Sequence, residues 1–246
     1  MEPETLTNPG NTRVLLDEKG TYDFNLPVPV ENWTHNPLFA LASEDFSLQP
    51  KREVTSFVLH NTQGTWPQTI IDGAAPRGQR AETVIGIWRR DKRTASTPVV
   101  IDTDGTMVQA HYLLPVVAFH AKTANVRSIG AELVMETPGK LYTASMDTAA
   151  NLIHGLIQSG HPQFKILNPP GMGQELPWLE IRTNYPTNGK KPPMVPVQQR
   201  GVFGHRDVRP MDRGRGDPGD AVMLRVAEVL ESLCGRGPVR YRVVRT

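Results

Sequence analysis

The run VTSFVLHNT, Val54 to Thr62, limits what this chain can fold into more than any other stretch. β-Branched and aromatic residues crowd its first part and polar turn formers close it, which predicts a buried strand ending near His60. A buried strand has to be covered by other elements. The rest of the chain supplies them in alternation.

From Ala81, the apolar positions Val84, Ile85 and Trp88 recur at helical spacing, and the run stops in RRDKR, whose cations suit a helix carboxyl terminus. TPVVIDTDGTMVQ predicts two strands joined around Asp104-Gly105, a pair that tolerates the backbone angles of a tight hairpin. In SIGAELVME, Ile129, Ala131, Leu133 and Met135 alternate with Ser128, Gly130, Glu132 and Val134, so Glu132 faces away from the main apolar set of its strand. Ala149, Leu152, Ile153, Leu156 and Ile157 form one helical stripe closed by Gly160. Val222, Val226, Val229, Leu230 and Leu233 form the stripe of a last helix, for which Asp217 reads as N-cap and Pro218 as first position. The terminal VRYRVVRT reads either as a strand or as a basic tail. Strands alternating with helices predict an α/β fold.

The 246 residues predict one main domain. Residues 1–49, rich in Pro, Asn, Thr and acids with no sustained period, read as an extended arm packed on a domain that spans 50–246. Between about His161 and Gln199, Pro, Gly and Asn crowd a stretch too long for a plain connection, which reads as a surface loop bordering a site.

Composition excludes several classes of function. The 27 basic and 25 acidic residues are interspersed and leave a net charge of only +2, so no nucleic-acid partner is expected. Cys234 is the one cysteine, which rules out an internal disulfide or a cysteine-built zinc cluster; no disulfide-linked partner is expected. No secretory signal or membrane-spanning apolar stretch is legible, so the expectation is a soluble chain made in the cytoplasm without stable membrane association. Release to the cell wall by lysis or a secretion system stays open.

Chemistry concentrates at strand ends and the loops that follow them. His60 closes one predicted strand, His205 closes the short run GVFGH, and Asp217 opens the region of the last helix beyond a glycine- and arginine-rich loop. Two neutral imidazoles and one carboxylate are a known ligand set for catalytic zinc, with a fourth position left for water. Each residue also has a plainer reading: a strand-end histidine can be structural, and an aspartate before a proline can simply cap a helix. No compact signature such as H-E-x-x-H decides between them.

FVLHNT, VVIDTDGTMVQ, FHAKTANVRSIGAELV and GHRDVRPMDRGRGDPG occur in an order that resembles the zinc-dependent type 2 N-acetylmuramoyl-L-alanine amidases, a family related to phage amidase lysins, cytoplasmic muropeptide amidases and peptidoglycan recognition proteins. The resemblance covers about residues 50 to 233, and its most specific pieces run from Asn125 to Glu132 and from Gly204 to Gly219. It implies a mixed central sheet flanked by helices, with zinc in an open groove on one side. It implies that His60, His205 and Asp217 hold the ion and that Glu132 is the general base. Arg215 stands where the family usually has a lysine, and the resemblance gives it the developing charge on the carbonyl oxygen. Asp207 and Asp212 are substitute ligands to weigh, because the loop before Asp-Pro-Gly is longer than usual.

The implied substrate is the amide between the lactyl group of N-acetylmuramic acid and L-alanine, in peptidoglycan or its soluble fragments. His120 and Asn125 are expected to contact it in the groove, and Trp66 and Trp178, each beside a proline, to stack on sugar rings. A muropeptide-binding module without catalysis and a metallohydrolase acting on another amide are the competing expectations.

Overall fold

The computed structural model describes residues 11–34, 46–49, 51–64, 67–78, 80–90, 96–171, 176–185, 194–196, 198–210, 214–234 and 240–245. Its strands are, in chain order, β1 (Arg13–Val14), β2 (Phe24–Asn25), β3 (Val30–Asn32), β4 (Phe46–Leu48), β5 (Ser56–Asn61), β6 (Thr69–Ile71) and β7 (Val99–Ile101). They continue with β8 (Met107–Gln109), β9 (Val116–Ala118), β10 (Ser128–Leu133), β11 (Lys140–Tyr142), β12 (Trp178–Asn184), β13 (Gly201–Gly204) and β14 (Arg240–Arg245). The helices among the described residues are α1 (Arg80–Arg90), α2 (Thr143–Gln158), the short α3 (His205–Val208) and α4 (Asp220–Cys234).

Among the described residues, eight strands make the central sheet, in the order β14-β12-β13-β5-β10-β7-β8-β3. The pairings from β14 through β7 are parallel, whereas β7 and β8 form the expected antiparallel hairpin, with Gly105 at φ 87° in its turn. This is the mixed sheet that the family resemblance implies.

Period-2 alternation splits the central strands between two faces. Phe57 and Leu59 of β5, with Ile129, Ala131 and Leu133 of β10, join the main core against the stripes of α2 and α4. On the other face the apolar cover comes in two separate pieces. One is built by α1, with Ala81, Ile85 and Trp88 against Val100, Val108 and Trp33. The other gathers Val58, Phe203, Ala121, Ala124, Val195 and Val208. Among the described residues, the polar side chains of His60 and Glu132 stand between these pieces, and the candidate site occupies that gap.

Three expectations change here. The described part of the arm supplies β3 to the sheet edge and buries Val14, Leu16, Leu26 and Val30 in the main core, so this part is woven into the domain. The stretch 161–199 contains β12, an interior strand between β14 and β13. Leu179 and Ile181 face the core from it, while Glu180 and Arg182 pair with each other at 3.5 Å on the opposite side. That alternation was short and bracketed by prolines, which hid it. Finally, α4 begins at Asp220, and the Met223 amide donates to the Gly219 carbonyl at 3.4 Å. Gly219, not Asp217, therefore stands at the cap position.

Candidate metal centre

Register carries the first two polar groups to the gap. β5 and β10 are parallel neighbours, and Glu132 lies directly opposite His60. Paired residues on adjacent strands point to the same face, so both side chains leave the core together. Glu132 is half-buried and lines a cleft of about 660 Å³ beside α1, with Thr62, Gln63, Arg80, Trp88 and Glu136 among its walls.

β13 ends at Gly204 opposite Leu59, and the chain turns at once into α3, whose first residue is His205. The His205 ring lies 4.5 Å from that of His60, centroid to centroid. Asp217 reaches the same point from the loop before α4, its Oδ2 3.1 Å from His205 Nδ1. One potential ligand atom from each of His60, His205 and Asp217 falls within 4.8 Å of the others, and all three residues are buried. Two imidazoles and a carboxylate brought this close fit a divalent ion that takes nitrogen and oxygen donors, zinc among them.

The carboxylate is oriented before any ion arrives. Asp217 Oδ1 accepts from the Asn61 amide at 2.9 Å, and the Asn61 side chain donates to the Gly216 carbonyl at 2.5 Å. Gln68 clamps the same loop, donating to Gly216 O at 2.6 Å and accepting from the Gly219 amide at 2.9 Å. Such partners hold a ligating carboxylate in one orientation. Of the two substitute ligands, Asp207 turns back to accept from the Gly204 amide at 2.9 Å, and Asp212 lies outside the described residues. Burial pushes the Asp207 carboxyl up from its ordinary value.

Arg215 is tied to Asp220 at 2.9 Å with its side chain about one-third exposed. The same carboxylate bonds Arg206, whose side chain is wholly buried and also donates to Thr183 O at 2.9 Å. Neither Arg206 nor Asp220 had been singled out in the sequence; an arginine beside a candidate ligand and an acid in a first helical turn look ordinary until the fold joins them.

Of the remaining expected residues, the three that are described, His120, Asn125 and Trp178, are not among the walls of the cleft. His120 packs behind His60, ring centroids 5.2 Å apart, and burial, followed by the nearby His205 and Arg52 charges, pushes its imidazole down to about 3. Asn125 turns its side-chain oxygen to the amides of His120 and Ala121, at 3.0 and 2.5 Å. Trp178 opens β12, at the opposite end of the parallel strands from His60. Trp66 lies outside the described residues.

Against known proteins, the model of the Amidase_2 family, N-acetylmuramoyl-L-alanine amidase, matches residues 50–220. The chain belongs to this family. That stretch holds all three members of the cluster and Glu132, and it supports peptidoglycan amidase activity at the level of the family. A comparison with curated protein sequences finds no significant match.

Among solved structures, the chain is similar to the Clostridium intestinale URNW N-acetylmuramoyl-L-alanine amidase LysC, at 14% identity and a TM-score of 0.42 over 76% of this chain and 89% of that one. It is also similar to the Staphylococcus aureus hydrolase AmiA, solved with its ligand, at 15% identity and a TM-score of 0.45, covering 87% of this chain and 89% of that one. A mutant of Drosophila PGRP-LB matches at 17% identity and a TM-score of 0.42, over 74% and 87%. Among the described residues, no helix is long and apolar enough to cross a membrane.

Proposed function

We propose that this chain is a zinc-dependent amidase cleaving the bond between the lactyl group of N-acetylmuramic acid and L-alanine, in peptidoglycan or its soluble fragments. The observation that carries the reading is the convergence of His60, His205 and Asp217, all buried, with ligand atoms within 4.8 Å. In this reading those three residues hold the ion through neutral imidazoles and an ionised carboxylate. When bound, zinc would lower the pKa of water toward neutrality and polarise the scissile carbonyl.

The chain's own groups do the remaining work. Glu132, paired with His60 and open to the cleft, accepts a proton from the attacking water and later returns one to the departing amine of L-alanine. Arg215 offsets the negative charge that grows on the carbonyl oxygen, and Asp220 keeps its guanidinium in one place. A guanidinium spreads its charge over a plane, so its approach differs from that of the family's usual ammonium. Trp66 is the residue in this reading that would stack on glycan.

The test is release of stem peptides with a free L-alanine amino group from peptidoglycan and from soluble muropeptides. Release should stop with a chelator and return with added zinc. Zinc-loaded protein that releases nothing from either substrate would overturn the reading.

A further inference from the structure

The segment from Asn125 to Gly130 forms a mould around one imidazole. Asn125 Oδ1 accepts the amides of His120 and Ala121, and Ser128 Oγ lies 3.1 Å from His120 Nε2. A Cβ on Gly130 would stand 2.6 Å from His120 Nδ1, a distance that real Cβ contacts do not reach, so glycine is what admits the ring. Buried Arg52 fastens the mould, donating to the Asn125 and Ser128 carbonyls at 3.1 and 3.2 Å and to Leu113 and Leu114 at 2.6 Å each. The enclosed ring meets the metal-site histidine, with His120 Nδ1 3.0 Å from His60 Nε2.

The direction of each hydrogen bond follows from what its atoms can do. The Ser128 hydroxyl donates its single proton to the Ala124 carbonyl at 2.7 Å, an oxygen that can only accept. Toward His120 the Ser128 oxygen is therefore the acceptor, which puts the imidazole proton on Nε2. A neutral ring with its proton there has only a lone pair at Nδ1, so His60 must donate from its Nε2. The lone pair of His60 is then on Nδ1.

We propose that the chain Ala124, Ser128, His120 is a positioning relay that fixes His60 in its Nε2–H tautomer and presents Nδ1 to a divalent cation. His120 and Asn125 then serve the site from behind, without touching substrate. The proposal rests on the metal reading of His60, His205 and Asp217, but not on the amide that is cleaved.

The test uses the full chain with ¹⁵N-labelled histidine, in which two- and three-bond ¹⁵N–¹H correlations report the tautomer of each ring. The expected pattern is a proton on Nε2 of both His60 and His120 without metal, and a metal-shifted His60 Nδ1 after one equivalent of zinc. Against a competing chelator, His120→Leu should bind zinc about 10- to 100-fold more weakly than wild type, with the thermal midpoint of the zinc-free protein reporting folding separately. His120→Asn, whose amide oxygen can take the place of Nδ1, should recover most of the affinity.

If His120→Leu does not fold, Ser128→Ala decides, since it removes one hydroxyl and should give mixed tautomers and weaker zinc binding. A His60 proton on Nδ1, zinc on Nε2, or wild-type affinity in the deciding variant overturns the relay. An intact relay with bound zinc and no amidase activity would instead overturn the proposed function alone.

Discussion

The two faces of β5 and β10 are made from alternate residues of the same two strands and do different jobs. Phe57, Leu59, Ile129, Ala131 and Leu133 meet the continuous apolar cover of α2 and α4, where each side chain is enclosed by similar ones. Val58, His60, Gly130 and Glu132 face a cover that, among the described residues, is broken into two patches, and the polar members stand in the break. The difference teaches that the site depends on where packing is withheld. The continuous face holds the strands rigid enough for the other to keep ligand atoms within reach of one another.

Substitutions can separate the faces, and the largest effect is expected at the break. Asp217→Ala removes one of three proposed ligands, so zinc content measured after dialysis and amidase turnover should both fall to background. Retention of full turnover would remove Asp217 from the site. Glu132→Gln should keep stoichiometric zinc while turnover falls by roughly 10²- to 10⁴-fold, because an amide cannot accept the water proton. Wild-type rates in that variant would leave Glu132 without a chemical role.

Leu59→Ala breaks the other face and should cost about 2 to 5 kcal/mol in denaturant unfolding, by lost burial and the cavity left behind. Zinc stoichiometry in the folded fraction should hold, and its loss at unchanged stability would show that the two faces are not separable in this way.

The pH dependence of folding gives a smaller effect away from both faces. Burial holds the His111 imidazole down to about 4, against 6.5 when exposed. The unfolded chain therefore takes up a proton at His111 before the folded one does. The resulting stabilisation is present in full above about pH 6.5 and is lost as pH falls toward 4, about 3 kcal/mol in all. His111→Gln should flatten that part of the stability profile, and an unchanged profile would show that His111 does not supply it.

The smallest effect belongs to the outer surface of the continuous face, where Arg225 of α4 meets Asp147 of α2 at 2.8 Å with both side chains more than one-third exposed. Asp147→Ala should shift unfolding by less than about 1 kcal/mol, and less still in high salt. A loss comparable to that of Leu59→Ala would mean that this pair organises the helix packing.

Much of this was legible in local sequence because its signals are local. The hairpin around Asp104-Gly105, the stripes of α1, α2 and α4, and the alternation of β10 all repeat within a few residues. β12 escaped because its period is brief and its neighbours are turn formers. Asp217 reads as a helix cap as well as a ligand for the same reason: Asp-Pro is a capping signal in sequence, while in space its carboxylate turns to Asn61 and His205, far away or across a loop in the chain.

By itself the sequence marked His60, His205 and Asp217 as residues able to carry chemistry, and its likeness to a family added Glu132 and the kind of chemistry to expect. Tertiary structure alone decided that His60 and Glu132 share a row, that His205 and Asp217 meet His60, and that His120 and Asn125 are packed against the metal site by hydrogen bonds of their own. The reason is physical: periodicity and capping are read within one or two turns of chain, whereas strand register and the gaps between packed elements depend on partners distant in sequence.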